Sequence, residues 1–138
     1  MAAINVLAMS QENVEIVRTR YEHLARGDFS PLAEVADDYE FVTSPEVPDA
    51  GTYRGEAAQR WVKSWVESFE GLTIEATEII DAGDKVFAAL LQRGRLRGSQ
   101  TQVEGRWWEV DTFREGNVAR TEIFPDRAQA LEAAGLSE

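Results

Sequence analysis

Apolar positions along the chain change period once, and that change divides it into a helical and a sheet-forming part. Val14, Val17, Tyr21 and Leu24 recur at spacings of three and four, behind a potential cap at Ser10 and before a stop at Gly27, which predicts a first helix. Ser30 followed by Pro31 predicts a short second helix over residues 31–37, with Leu32 and Val35 inward. Residues 39–43 alternate as a strand does, and the Pro45 and Pro48 segment over 44–51 reads as a rim loop. A third helix over 56–70 carries Trp61, Trp65 and Phe69 in one row and Val62 and Val66 in the next. From Leu72 onward the pattern is that of strands, over 72–81, 85–97 and 105–124, before a final helix over 127–134 capped by Asp126 and stopped by Gly135. Helices first and sheet afterwards predict an α+β fold in a single domain over 1–138.

The segment 105–124 holds the most chemistry. Two aromatic and β-branched runs flank Gly116-Asn117, which predicts a hairpin. With those two residues as the loop, counting outward sets Phe113 opposite Arg120 and Asp111 opposite Glu122. Opposed residues have Cβ atoms about 4.5 to 5.5 Å apart, so one of two buried acids there keeps its proton near neutral pH. Neutralisation of the pair by Arg106, Arg114 or Arg120 is the competing reading, without any catalysis. Arg106, Trp108, Val110 and Thr112 share one face of the strand, and Trp107, Glu109, Asp111 and Phe113 the other; on apolarity alone the first is core.

Composition narrows the classes. Acidic residues outnumber basic ones 25 to 14, and a net charge of −11 repels a phosphate backbone or an anionic membrane surface. No apolar run is long enough to span a bilayer, and the first nine residues lack the basic start of a signal peptide, so a cytoplasmic protein is expected. Without cysteine there are no disulfides or thiolate metal sites, and one histidine, His23, with scattered acids lacks metal-ligand spacing. Gly94, Gly98 and Gly105 do not form a phosphate loop. No cofactor and no metal are expected.

Several strings occur together in a familiar order. Arg20-Tyr21 precedes Arg26-Gly27-Asp28, then come Ala36-Asp37-Asp38, Gly51-Thr52-Tyr53-Arg54-Gly55 and Val110-Asp111-Thr112-Phe113. This order resembles the nuclear-transport-factor-2-like superfamily, which includes ketosteroid isomerase, the SnoaL-type polyketide cyclases and limonene epoxide hydrolase. The end of the chain, from Phe124-Pro125-Asp126-Arg127 to Leu136, is similar to a large bacterial subgroup of these proteins. The resemblance implies a cone: a strongly curved, mostly antiparallel sheet whose pocket is closed by three N-terminal helices, plus a short C-terminal helix. It places Tyr21 where the isomerase has an oxyanion-hole tyrosine, Asp111 where it has a protonated aspartic acid, and Glu122 close to an acid of the hydrolases and cyclases. The general base does not carry over, because Thr43-Ser44-Pro45 offers only hydroxyls where the isomerase has an aspartate before proline. The Arg-x-Asp pair of the hydrolases has no counterpart over 86–91.

The resemblance also reverses the faces of the hairpin, so that the Asp111 face lines the pocket. Trp108, Val110, Thr112, Thr121 and Ile123 then become a homodimer surface. The expected catalytic set is Asp111, Glu122 and Tyr21, and the expected ligand-binding set is Trp107, Glu109, Phe113, Arg120, Phe124, Trp61, Trp65, Tyr53, Val86 and Leu90. Trp61, Trp65 and Trp107, at helical or alternating spacing, are more often core than ligand platform, and Tyr21 lies on a helical core stripe. Two functions follow: acid–base chemistry of the isomerase, cyclase or hydrolase type on a small, mostly apolar carbonyl- or epoxide-bearing molecule, or a non-catalytic dimer that binds a hydrophobic ligand or a protein.

Overall fold

A computed structural model describes residues 2–33 and 35–137, with side chains from residue 10 onward. The first helix, α1 (Ala2–Ala25), runs through Ser10, so Ser10 is not its cap; the hydroxyl donates instead to Asp81 Oδ2 at 2.7 Å. Ser30–Leu32 forms one 3-10 turn where a second helix was expected over 31–37. Leu32 and Val35 are too little apolar surface to hold so short a helix together. The strands β1 (Glu40–Val42) and β2 (Thr52–Arg54) follow, then α2 (Glu56–Glu67). Phe69, expected on that helix, opens β3 (Phe69–Ala82) yet keeps its ring 5.4 Å from Trp65.

The remaining strands are β4 (Lys85–Leu96), β5 (Gln102–Arg114) and β6 (Asn117–Phe124), and α3 (Arg127–Ala133) ends the fold with Asp126 accepting from the Gln129 amide. The sheet order is β2-β1-β6-β5-β4-β3, antiparallel except for the parallel pair β1–β6. It is the expected α+β cone. Two bulges in the β3–β4 ladder and one between β5 and β6 curl the sheet without closing it. The helix α2 packs against β2 and β3, the two opposite edges of the sheet.

Both faces are covered around β4, which accounts for its unbroken apolar run: Val86 through Leu91 are all buried. Val86, Ala88, Leu90 and Phe113 meet Val17, Tyr21 and Leu24 of α1 on the concave side, while Phe87, Ala89 and Val110 meet Ala130, Leu131 and Ala134 on the convex side. Val110, expected on a dimer surface, is thus fully covered by the chain's own C-terminal helix. No helix among the described residues is long and apolar enough to cross a membrane.

The hairpin corrects the predicted pairing. Its loop is Glu115-Gly116, with φ of 53° and 80°, and Arg114 pairs with Asn117. A bulge after Val118 then brings Thr112 opposite Arg120, Asp111 opposite Thr121 and Val110 opposite Glu122. Beyond the bulge the pairing is one residue off the count from the sequence, and a one-residue slip reverses the side chains of residues 120–124, while Val118 stays on the face of Phe113. Thr121 and Ile123 therefore share the concave face with Asp111, and Arg120, Glu122 and Phe124 lie on the convex one.

Gly55 ties this frame to the start of α2. Its N–H donates to the Tyr39 carbonyl at 2.7 Å, its φ is 54°, and a Cβ there would lie 2.6 Å from the Asp37 carbonyl oxygen. Gly55→Ala is expected to lower the unfolding free energy by about 2 kcal/mol in urea titration, through backbone strain and this clash; an unchanged midpoint would contradict the assignment.

Candidate active site

Two acids two residues apart on one strand face, set against two consecutive residues of a helix, build the site. Glu109 and Asp111 project from β5 toward α1, where Arg20 and Tyr21 meet them. Arg20 Nη1 lies 2.8 Å from Asp111 Oδ2 and 3.3 Å from Glu109 Oε2. The Tyr21 hydroxyl donates to Glu109 Oε1 at 2.7 Å, and the Thr121 hydroxyl donates to Asp111 Oδ1 at 2.6 Å. Asp111 is 1 % exposed and Glu109 4 % exposed, so neither carboxyl is solvated by bulk water.

Charge then decides protonation. Burial pushes the Glu109 carboxyl well above the ordinary value, the neighbouring Asp111 charge pushes it further, and Arg20 opposes both only in part. Burial works against the Arg20 charge, but Asp111 and Glu109 more than offset it, so the guanidinium stays charged. Burial and then Glu109 raise the Tyr21 hydroxyl, which remains a donor; burial and then Asp111 raise Tyr39. One cation, one carboxylate and one protonated acid leave the cluster neutral, which is what a desolvated site tolerates.

Above this cluster lies a cavity of about 870 Å³. Arg20, Tyr21, Tyr39, Glu109 and Thr121 line one part of its wall, and Phe41, Trp61, Trp65, Leu90, Gln92 and Trp107 another. The aromatic rings form a chain: Phe41 to Trp61 at 5.3 Å, Trp61 stacked on Trp65 at 5.8 Å, and Trp65 edge-on to Trp107 at 6.3 Å. Thr43 and Ser44 add hydroxyls to the wall. His23, at the cavity, faces Asp28 at 2.8 Å; hydrogen bonds from Ser30 and His23 hold that carboxyl down at about 2.

Of the expected residues, Tyr21, Glu109, Trp61, Trp65, Trp107 and Leu90 line the cavity. Asp111 sits behind Arg20 and Glu109, and Val86 and Phe113 are packed under α1. Tyr53 stands on the edge strand with its ring 6.1 Å from Trp61 and its hydroxyl on the Asp49 carbonyl. Glu122 and Arg120 do not join the site, because the hairpin register turns them to the other face; Arg120 pairs there with Glu40 at 2.8 Å and Glu122 at 3.5 Å. Phe124 leaves with them, against the α3 side. The partner of Asp111 is thus Glu109 of the same strand. Arg20, Tyr39, Gln92 and Thr121 are additions. Arg20 had a signal in the sequence, since it lies three residues after Val17 and four before Leu24, a charge on a buried stripe. Among the described residues, no group of three or more histidines and acids is placed to hold a metal.

The family model described as the SnoaL-like domain matches residues 17–121. The chain belongs to this SnoaL-like family. Its fold is similar to that of an NTF2-like protein from Burkholderia xenovorans LB400, at 30% identity over 90% of this chain and 95% of that one, with a TM-score of 0.62. A SnoaL-like polyketide cyclase from Jannaschia sp. CCS1 has a TM-score of 0.71 at 16% identity, covering 93% and 94% of the two chains. TerC, co-crystallized with polyporic acid, has a TM-score of 0.66 at 23% identity, covering 90% and 98%. No curated protein matches the chain.

The acid cluster makes the stability of this SnoaL-like chain pH-dependent with a definite sign. Between the ordinary glutamate value of 4.5 and the raised value of Glu109, the folded chain holds a proton that the unfolded chain has lost. The contribution is complete below the ordinary value and is lost as pH rises through the raised one, at up to about 1.4 kcal/mol per pH unit. Glu109→Gln is expected to flatten the decline of unfolding free energy above pH 5 in urea melts; a slope equal to that of the parent chain would count against a protonated Glu109.

Proposed function

We propose that this SnoaL-like chain is an enzyme for a small, mostly apolar, carbonyl- or epoxide-bearing molecule, with general acid–base chemistry of the isomerase, cyclase or hydrolase type at Glu109. The observation that carries the reading is a carboxyl at the cavity wall, 4 % exposed, whose hold on its proton is strengthened by burial and by the neighbouring Asp111 charge. Such an acid can donate to an oxygen that gains negative charge in the transition state. Burial and then the Asp111 charge raise Glu109, and Arg20 holds Asp111 in place at 2.8 Å, so Asp111 and Arg20 are positioning residues. Tyr39 is a second donor at the same wall. The aromatic wall suits a flat apolar body, and TerC, of the same fold, was crystallized with polyporic acid.

A non-catalytic binding protein is the second reading, favoured by one observation: the wall at Thr43 and Ser44 carries hydroxyls and no base strong enough to take a carbon-bound proton. Hydrogen–deuterium exchange at the α-carbon of cyclic ketones, followed by NMR in deuterated buffer, separates the two. The enzyme reading expects exchange in the parent chain, with solvent hydroxide taking the α-proton while Glu109 donates to the carbonyl oxygen as it gains charge, and a loss of about a hundredfold in Glu109→Gln. Undiminished exchange in that variant would remove Glu109 from the chemistry, and binding without exchange would favour the second reading.

The homodimer implied by the family would use the part of the convex face around Arg106 and Thr112 that α3 leaves uncovered. Sedimentation at micromolar concentration is expected to give a dimer mass, and a monomer mass would end that assignment.

A further inference from the structure

Gln92 is the polar residue of the aromatic wall, and its orientation is decided by its neighbour. Trp65 Nε1 lies 3.0 Å from Gln92 Oε1. An indole N–H can only donate, so the amide atom it meets must be the oxygen, and the other end of the amide is the NH2 group. Gln92 is 4 % exposed and lines the cavity, and among the described residues this is its one side-chain hydrogen bond. Among the described residues, the one fully enclosed side-chain polar atom without a partner is Asn13 Oδ1, so Gln92 Nε2 is not sealed in the core but opens onto the cavity. Two N–H donors therefore face the space a ligand would fill.

Their distance from the acid cluster follows from the ladder. Glu109 pairs with Ala88 and Gly105 with Gln92, so the two polar positions are four residues apart on one face, with Leu90 and Trp107 between them. At the rise of a strand this is about 13 Å between backbone positions.

We propose that Gln92 is a specificity-determining donor, oriented by Trp65, which selects ligands carrying a hydrogen-bond acceptor at the far end of an elongated apolar body whose other end engages Glu109. The assignment rests on the small-molecule reading of the cavity and narrows it to ligands with polar groups at both ends. A ligand with a methyl group in place of the acceptor leaves the buried amide unpaired, which is the more costly outcome.

Three rigid biphenyls test this, each with a phenol at one para end and with an aldehyde, a methyl or an amino group at the other. Dissociation constants are read from tryptophan fluorescence. The aldehyde is expected to bind the parent chain about tenfold more tightly than the methyl compound. Gln92→Leu should abolish that difference while leaving the methyl compound's affinity within about threefold. Trp65→Phe removes the indole donor and frees the amide to turn, so the amino compound should gain on the aldehyde; a purely structural role of Trp65 would weaken all three alike. Equal binding of aldehyde and methyl compounds to the parent chain, or discrimination that survives Gln92→Leu, overturns the role of Gln92 and leaves the cavity reading intact. If none of the three binds the parent chain, both fall together.

Discussion

The ion pair between Arg20 and Asp111 is the interaction on which the concave side of the sheet depends. Glu109 and Asp111 are two residues apart and point the same way, so any fold that buries one buries both. Two carboxylates out of water at that spacing would destabilise the domain, because each loses hydration and each repels the other. A guanidinium from α1 at 2.8 Å compensates the first, and a retained proton removes the charge of the second. The helix is thereby fixed to the strand by a polar contact inside an otherwise apolar interface, next to Val17, Tyr21 and Leu24.

Curvature turns this contact into the wall of a cavity. A flat sheet would let one helix cover its inner face, but bulges in the β3–β4 and β5–β6 ladders bend the strands around a space that α1 fills only in part. The helix α2 packs against both edge strands across that space and contributes Trp61 and Trp65 to its lining. On the convex side α3 covers Phe87 and Val110, which makes β4 apolar on both faces and rigid in the middle of the sheet. A rigid strand of this kind holds Leu90 and Gln92 in place, as a binding wall requires.

The same arrangement gives the cavity two polar ends of different character. Glu109, Tyr21 and Tyr39 offer protons at one, where burial and a neighbouring charge set the acidity. Gln92 offers neutral N–H donors at the other, with its orientation set by Trp65. Between them the surface is apolar and aromatic, so shape and the placement of a few hydrogen bonds decide what fits.

The sequence by itself determined the α+β class and most of the elements, the second helix over 31–37 and the short strand β2 excepted, because periodicity, caps and turn residues are local signals; Asp126 before α3 and the apolar spacing of α1 are examples. It also determined that Asp111 and Glu109 share a face, since alternation along one strand needs no partner. The partners themselves were decided by tertiary structure. A left-handed Glu115 and a bulge after Val118 moved the hairpin register by one, which removed Glu122 and Arg120 from the site and brought in Thr121. The cover on the convex face, and the reach of Arg20 from a helix 91 residues away, depend on contacts between distant segments that no local pattern encodes.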